Sequence, residues 1–169
     1  QEKLVLFWHG HFATSMEKVR SAYCMYQQNQ TLRTHAAGHW PTLVEQVAKD
    51  PAMLLYLDNA QSRAGNPNEN FAREIMELFT LGIGEGHYRE EDVKAAARAF
   101  TGWTLEPDTF TFENRERWHD RGSKTLLGQR GAFDGRRAIQ LILEQPAAAE
   151  WITTKLWTFF AYPEPEPEL

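Results

Sequence analysis

The sequence predicts a mainly α fold, a compact single-domain bundle of about seven or eight helices with one small β-hairpin. Three observations carry this expectation. Apolar residues recur at helical spacing through most of the chain, and the runs are bounded by capping residues, prolines and glycines. One segment, Thr109 to Glu113, alternates in the manner of a strand. With 169 residues, 42% hydrophobic and 24% charged, the chain is long and apolar enough to bury a core. The domain is expected over 1–162, with 163–169 as a stiff Pro/Glu-rich tail or linker.

Taken in order, Glu2 to Thr14 reads as a helix, apolar nearly all round and therefore buried. Met16 to about Ala37 reads as a second helix, carrying Val19, Tyr23, Met25 and Tyr26 before a polar run at 27–30, with Gly38 ending it. Pro41 starts a third, to Lys49, and Asp50-Pro51 caps a short fourth through Leu57. Asp58 to Pro67 is a polar loop. Asn66 then suits an N-cap, with Pro67 in the first helical position and Glu69 placed as in a capping box; Gly82 is the stop. Gly82, Gly84 and Gly86 make a tight loop. It is not a phosphate loop, since no strand precedes it and no Lys-Ser/Thr comes after it. Glu90 to Phe100 has acids first and bases later, complementing a helix dipole, and Gly102 terminates it before Trp103. Thr125 to Leu127 is expected to pair with Thr109–Glu113 across the loop 114–123. Arg136 to Glu144 and Ala147 to Ala161, split by Pro146, are the last two helices.

The net charge of -5 and pI near 5.7 argue against nucleic acid as a partner, which would want a basic face. No apolar run reaches the roughly 18 residues of a membrane span. Cys24 is the single cysteine, so no intramolecular disulfide forms. The chain begins at Gln1, which predicts a removed leader or a fragment of a longer protein. Six Trp, five Tyr and ten Phe are many for this length, and exposed aromatic faces stack on sugar rings as well as on each other.

The chemistry concentrates in the helix after Asn66. At about 100° per residue, Phe71, Ile75, Leu78 and Phe79 form an apolar stripe, and Asn70, Glu74 and Glu77 form a polar one beside it. Carboxylates at a core-facing edge are costly unless paired, protonated or bound to a metal. Two readings stay open. Glu69, Arg73 and Glu77 are spaced for an i,i+4 ion-pair ladder; alternatively Glu74 and Glu77 are functional acids. His9 and His11 look like a ligand pair, but residues two apart on a helix point roughly 200° from each other and cannot share one metal. His119-Asp120 lies in an Arg-rich loop between Trp118 and Lys124, placed for acid/base work or for surface ion pairs. Neither a Gly-x-Ser-x-Gly elbow nor a His-Glu-x-x-His zinc motif is present.

A longer pattern runs through these segments. It comprises Phe7-Trp8-His9-Gly10-His11-Phe12 with Thr14-Ser15, Gln28-Asn29 and Leu32-Arg33, then Asp50–Leu54 with Tyr56–Asn59. It continues with Pro67–Glu74 and Glu77–Gly82, Ala97–Trp103, and His119-Asp120 with Lys124. Together these blocks resemble the bacterial family catalogued as domain of unknown function 1800, over nearly the whole chain. Two positions depart from the family's pattern, His39 in place of an Asn and Arg89 in place of a capping Thr. The resemblance implies an exported, periplasmic or extracellular protein of which this chain is the central portion. It implies no activity.

The residues themselves predict a hydrolase acting on a polar polymer, a polysaccharide, by carboxylate acid/base cleavage of glycosidic bonds. Glu74, Glu77, His119 and Asp120 are the expected catalytic groups, and Trp103, Trp118, Asn70, Arg73 and Lys124 the expected substrate contacts. A divalent cation is expected at His11, Glu74 and Glu77, and no organic cofactor. The alternatives are a non-catalytic structural or partner-binding module of a larger exported bacterial assembly, with other exported proteins as partners, and a metal-dependent phosphoesterase.

Overall fold

The computed structural model describes residues 1–84 and 86–162; the expected Pro/Glu tail at 163–169 lies outside them. Among the described residues nine α-helices and two antiparallel hairpins form the mainly α domain that the sequence predicts. No helix among them is long and apolar enough to cross a membrane.

Helix α1 (Glu2–His11) buries Phe7, Trp8 and His11 but turns Leu6 outward at 64% exposure, so it is not buried all round. The predicted second helix is two. Ser15 caps α2 (Met16–Val19), Arg20 takes a left-handed φ of 54°, and Ser21 caps α3 (Ala22–His35). Ser21, which accepts a backbone N–H, thus breaks a run which apolar spacing alone continues. Helix α4 (Trp40–Ala48) comes next, and then α5 (Pro51–Tyr56), whose cap Asp50 accepts from the N–H groups of Ala52 and Met53. Asp50 is buried, its second oxygen has no partner, and burial pushes its pKa up to about 7.

The polar loop after α5 contains a short 3-10 turn at Asn59–Gln61. The cap of α6 (Glu69–Met76) is Asn68, not Asn66: its Oδ1 accepts from the Phe71 N–H at 3.0 Å, and the helix begins two residues later than predicted. Glu69 is therefore the first helical residue and closes no capping box. Helix α7 (Glu90–Ala99) packs on α6 and buries Val93 and four alanines, small residues that let helix axes approach.

The strand pairing differs from expectation. β1 (Trp103–Leu105) pairs with β2 (Phe112–Asn114), and β3 (Lys124–Leu126) with β4 (Gln129–Gly131). Leu127 and Gly128, at φ 49° and 79°, form a tight two-residue turn. That local hairpin claims Thr125–Leu126 before a distant partner can. Helices α8 (Gly135–Leu143) and α9 (Pro146–Phe160) close the domain. Gly135 is required where it stands, since a Cβ there falls 2.5 Å from the Trp103 ring. The core runs from stacked Trp8 and Trp40, ring centroids 5.3 Å apart, through Phe71, Phe100 and Trp103.

Candidate functional site

Helix α6 presents two faces. Phe71 and Ile75 are fully in the core. Asn70 and Glu74 line a cleft of about 430 Å³, closed by Gly10 and His11 of α1, Tyr56 of α5 and Lys155 of α9. The helix then widens into a π-helical turn, Glu77–Leu81. The Thr80 hydroxyl donates to the carbonyls of Ile75 and Met76. The last carbonyls of the turn are held by ring N–H groups from elsewhere: Trp151 Nε1 donates to Leu78 O at 3.1 Å, His11 Nε2 to Phe79 O at 3.0 Å, and His87 Nδ1 to Leu81 O at 2.9 Å. A π turn shifts the facing of its side chains away from the α-helical phase. Leu78, predicted for the core stripe, is accordingly 39% exposed and lines the cleft.

Of the polar groups of this cleft, Lys18 is paired with Asp58 at 2.8 Å and lies over the Tyr56 ring, while Glu74, Asn70 and Lys155 have no such counter-ion among the described residues. Glu74 makes no hydrogen bond or ion pair with any described residue. Burial raises its pKa and the charge of Glu77 raises it further, against the opposing pull of Arg73. The Asn70 amide is likewise unpaired among the described residues. The Lys155 ammonium sits 4.7 Å from the centroid of the Trp151 ring, and burial lowers its pKa. His11 is 6% exposed. Its Nε2–H is committed to Phe79 O, its Nδ1 is buried without a partner, and burial with the nearby Lys155 charge pushes its pKa down to about 4. At neutral pH the cleft therefore offers an acid held toward its protonated form, an amine held toward its neutral form, and an uncharged imidazole.

The other predicted site residues lie elsewhere. Glu77 turns away from the cleft, where Arg73 bridges it at 3.2 Å and Glu90 at 2.6 Å. The Arg73–Glu77 rung of the predicted ladder thus forms, and Arg73 also pairs with Glu90. His11, Glu74 and Glu77 do not converge as a ligand set, and among the described residues no group of three His, Cys, Asp or Glu side chains is placed to hold a metal. His119 donates from Nδ1 to Thr101 O at 2.9 Å. Asp120 accepts two bonds from Arg98, which hold its pKa down to about 2. Lys124, 2% exposed, donates to the carbonyls of Asp120 and Gly122. Trp103 is buried against Phe100 and Phe112 and offers no stacking face, while the Arg115 guanidinium covers Trp118 at 4.7 Å. Arg98 thus ties this loop to α7, and Lys124 closes the loop on itself.

Several cleft residues lie outside the site expected from the sequence, among them Gly10, Lys18, Tyr56 and Lys155. Lys155 does leave a trace, as the one charged residue between Trp151 and Tyr162 in an otherwise uncharged run. A lone charge on such a helix needs either solvent or a cleft.

A family model described as "Protein of unknown function (DUF1800)" matches residues 1–169, and neither the curated proteins nor the solved structures hold a match.

Proposed function

The chain belongs to the DUF1800 family, and from that premise we propose that its cleft binds a hydroxyl-rich polymer, a polysaccharide, and that Glu74 drives hydrolysis there. One observation carries the reading: Glu74 is a half-buried carboxyl, unpaired among the described residues, whose pKa is raised, on the wall of a cleft of a volume that holds a sugar unit. Such a group keeps its proton nearer to neutral pH than a solvated Glu does. It gives that proton to the leaving oxygen as the glycosidic bond breaks. Water adds at the carbon left behind and returns its proton to the Glu74 carboxylate, so that one residue serves as acid and then base. The Asn70 amide donates to and accepts from neighbouring hydroxyls, and the Lys155 amine adds a third polar contact.

A second reading is supported by the Arg73–Glu77 pair. It leaves Glu74 as the one acid on the cleft wall among the described residues, where two-carboxylate glycosidases use two. On this reading the domain binds the polymer without cleaving it, as a module of a larger assembly. Reducing-end release from a polysaccharide panel, run beside affinity electrophoresis in the same gels, separates the two. Hydrolysis predicts release by the wild type and loss of release by Glu74→Gln with binding kept. Retarded migration without release selects the binding module, and loss of release on chelation adds a cation to the site. Neither binding nor release removes both readings.

A further inference from the structure

The polar cleft has an apolar neighbour. Between α1 and α9 lies a groove of about 510 Å³ lined by Leu6, Phe7, Trp151 and Phe159, and it shares Gly10, His11 and Lys155 with the cleft. Leu6 and Phe159 are 64% and 47% exposed, a cost that a folded chain carries where something apolar is to be covered. The groove is not shaped for sugar stacking. The Trp151 ring is already occupied, by the Lys155 ammonium over it and by Gly82, where a Cβ would fall 2.7 Å from the ring. Its Nε1–H is held by Leu78 O. What remains is a mostly apolar slot between Leu6, Phe7 and Phe159, edged by Thr154 and Thr158, that suits an alkyl chain.

Gly10 stands where cleft and groove meet. Its backbone is helical and has no left-handed φ that would call for glycine. Beyond its chain neighbours and its own helix backbone, a Cβ built on it meets no heavy atom of a described residue within 4 Å, so packing among them does not call for glycine either. Helix propensity favours alanine at such a position. Gly10 lines both cavities, so a larger side chain there stands at their junction.

We propose that the groove takes an apolar chain carried by the hydroxyl-rich ligand of the Glu74 cleft, and that Gly10 keeps the way between them open. The substrate class is then a glycan bearing an alkyl or acyl chain. This rests on the reading of the Glu74 cleft as the place of the hydroxyl-rich part.

The test is a binding series of n-alkyl glucosides from methyl to octyl, each below its micelle concentration, by calorimetry. Each methylene that enters the groove should tighten binding about fourfold, the ~0.8 kcal/mol of a buried CH₂. Gly10→Ala should keep that slope. Gly10→Leu should flatten the series to the affinity of the methyl member while leaving the melting temperature in place. Should Gly10→Leu fail to fold, Phe159→Gln in the wall of the groove should shorten the slope in its stead. A flat series in the wild type with methyl glucoside still bound overturns the inference and leaves the Glu74 reading standing. Octanol binding as tightly as octyl glucoside, unaffected by Glu74→Gln, overturns it together with that reading, and so does a series in which nothing binds. A wild-type dimer that Leu6→Lys converts to monomer overturns it by giving the groove to a second copy of the chain.

Discussion

The Glu74 cleft and the His119-Asp120 loop are each built from an acid, a histidine and a lysine, and they dispose of them in opposite ways. In the loop, Asp120 is clasped by Arg98, His119 by Thr101, and Lys124 donates to two carbonyls. In the cleft, Lys18 at one edge pairs with Asp58, but Glu74 and Asn70 have no partner among the described residues, and Lys155 touches a ring rather than a counter-ion. The first arrangement stabilises its own loop and leaves little for a ligand. The second costs stability and leaves groups that a ligand can satisfy. Adjacency in sequence marks the loop as chemical; freedom from local bonds marks the cleft.

The sharpest break of this comparison runs through α6 itself. Phe71 and Glu74 sit less than one turn apart, one in the core and one on the cleft. Phe71→Ala should lose about 3–5 kcal/mol in denaturant melts, the range for a buried Phe. A loss under about 1 kcal/mol would mean that the two faces are not distinct. Next in size is Lys124→Met, which keeps the volume of a fully buried side chain but leaves the carbonyls of Asp120 and Gly122 without a donor. A cost of about 2–3 kcal/mol is expected, and a neutral result would reduce the loop to a solvated surface.

A smaller effect separates the two acids by the sign of their pH dependence. The pKa of Asp120 is depressed to about 2 in the fold, so its stabilisation is present above the unfolded value near 3.8 and is lost as pH falls through about 2. After allowance for partial exposure this amounts to about 1–2 kcal/mol. Melts across that range should show it in the wild type and not in Asp120→Asn. Glu74 runs the other way. Its raised pKa favours the fold below the unfolded pKa and loses that advantage as pH rises through the folded one. Glu74→Gln should therefore change stability at pH 7 by no more than about 0.5 kcal/mol, in the favourable direction if at all, while ligand-linked activity is lost. A large destabilisation by Glu74→Gln would move Glu74 into the same class as Asp120.

The helical class, most helix positions, and the core faces at Phe71 and Ile75 are legible in apolar spacing and capping residues, and the structure agrees with them. What spacing misses has physical causes. Ser21 interrupts a helix that propensity would continue, because its hydroxyl caps a new N-terminus. The Leu127-Gly128 turn fixes a hairpin between Lys124 and Gly131, which outcompetes a pairing that must close a longer loop. Of the predicted site, Asn70, Glu74 and His11 meet in one cleft. Glu77 does not, because Arg73 lies within reach on its own helix and the turn at its end is π rather than α. Lys155 joins the cleft from more than eighty residues away in the chain, a separation no local pattern encodes.

The π turn at the end of α6 also has a place in time. Its Phe79 carbonyl is held by a histidine 68 residues earlier and its Leu78 carbonyl by a tryptophan 73 residues later. Neither donor is at hand while the chain is still assembling its central helices. Contacts closed over such spans arrive late, because loop entropy must be overcome before they form. The turn is then a clasp that shuts after both ends of the chain have docked. Substitutions of His11 or Trp151 should speed unfolding far more than they slow folding, so that the wall of the cleft sets how long the folded molecule lasts rather than how fast it is made.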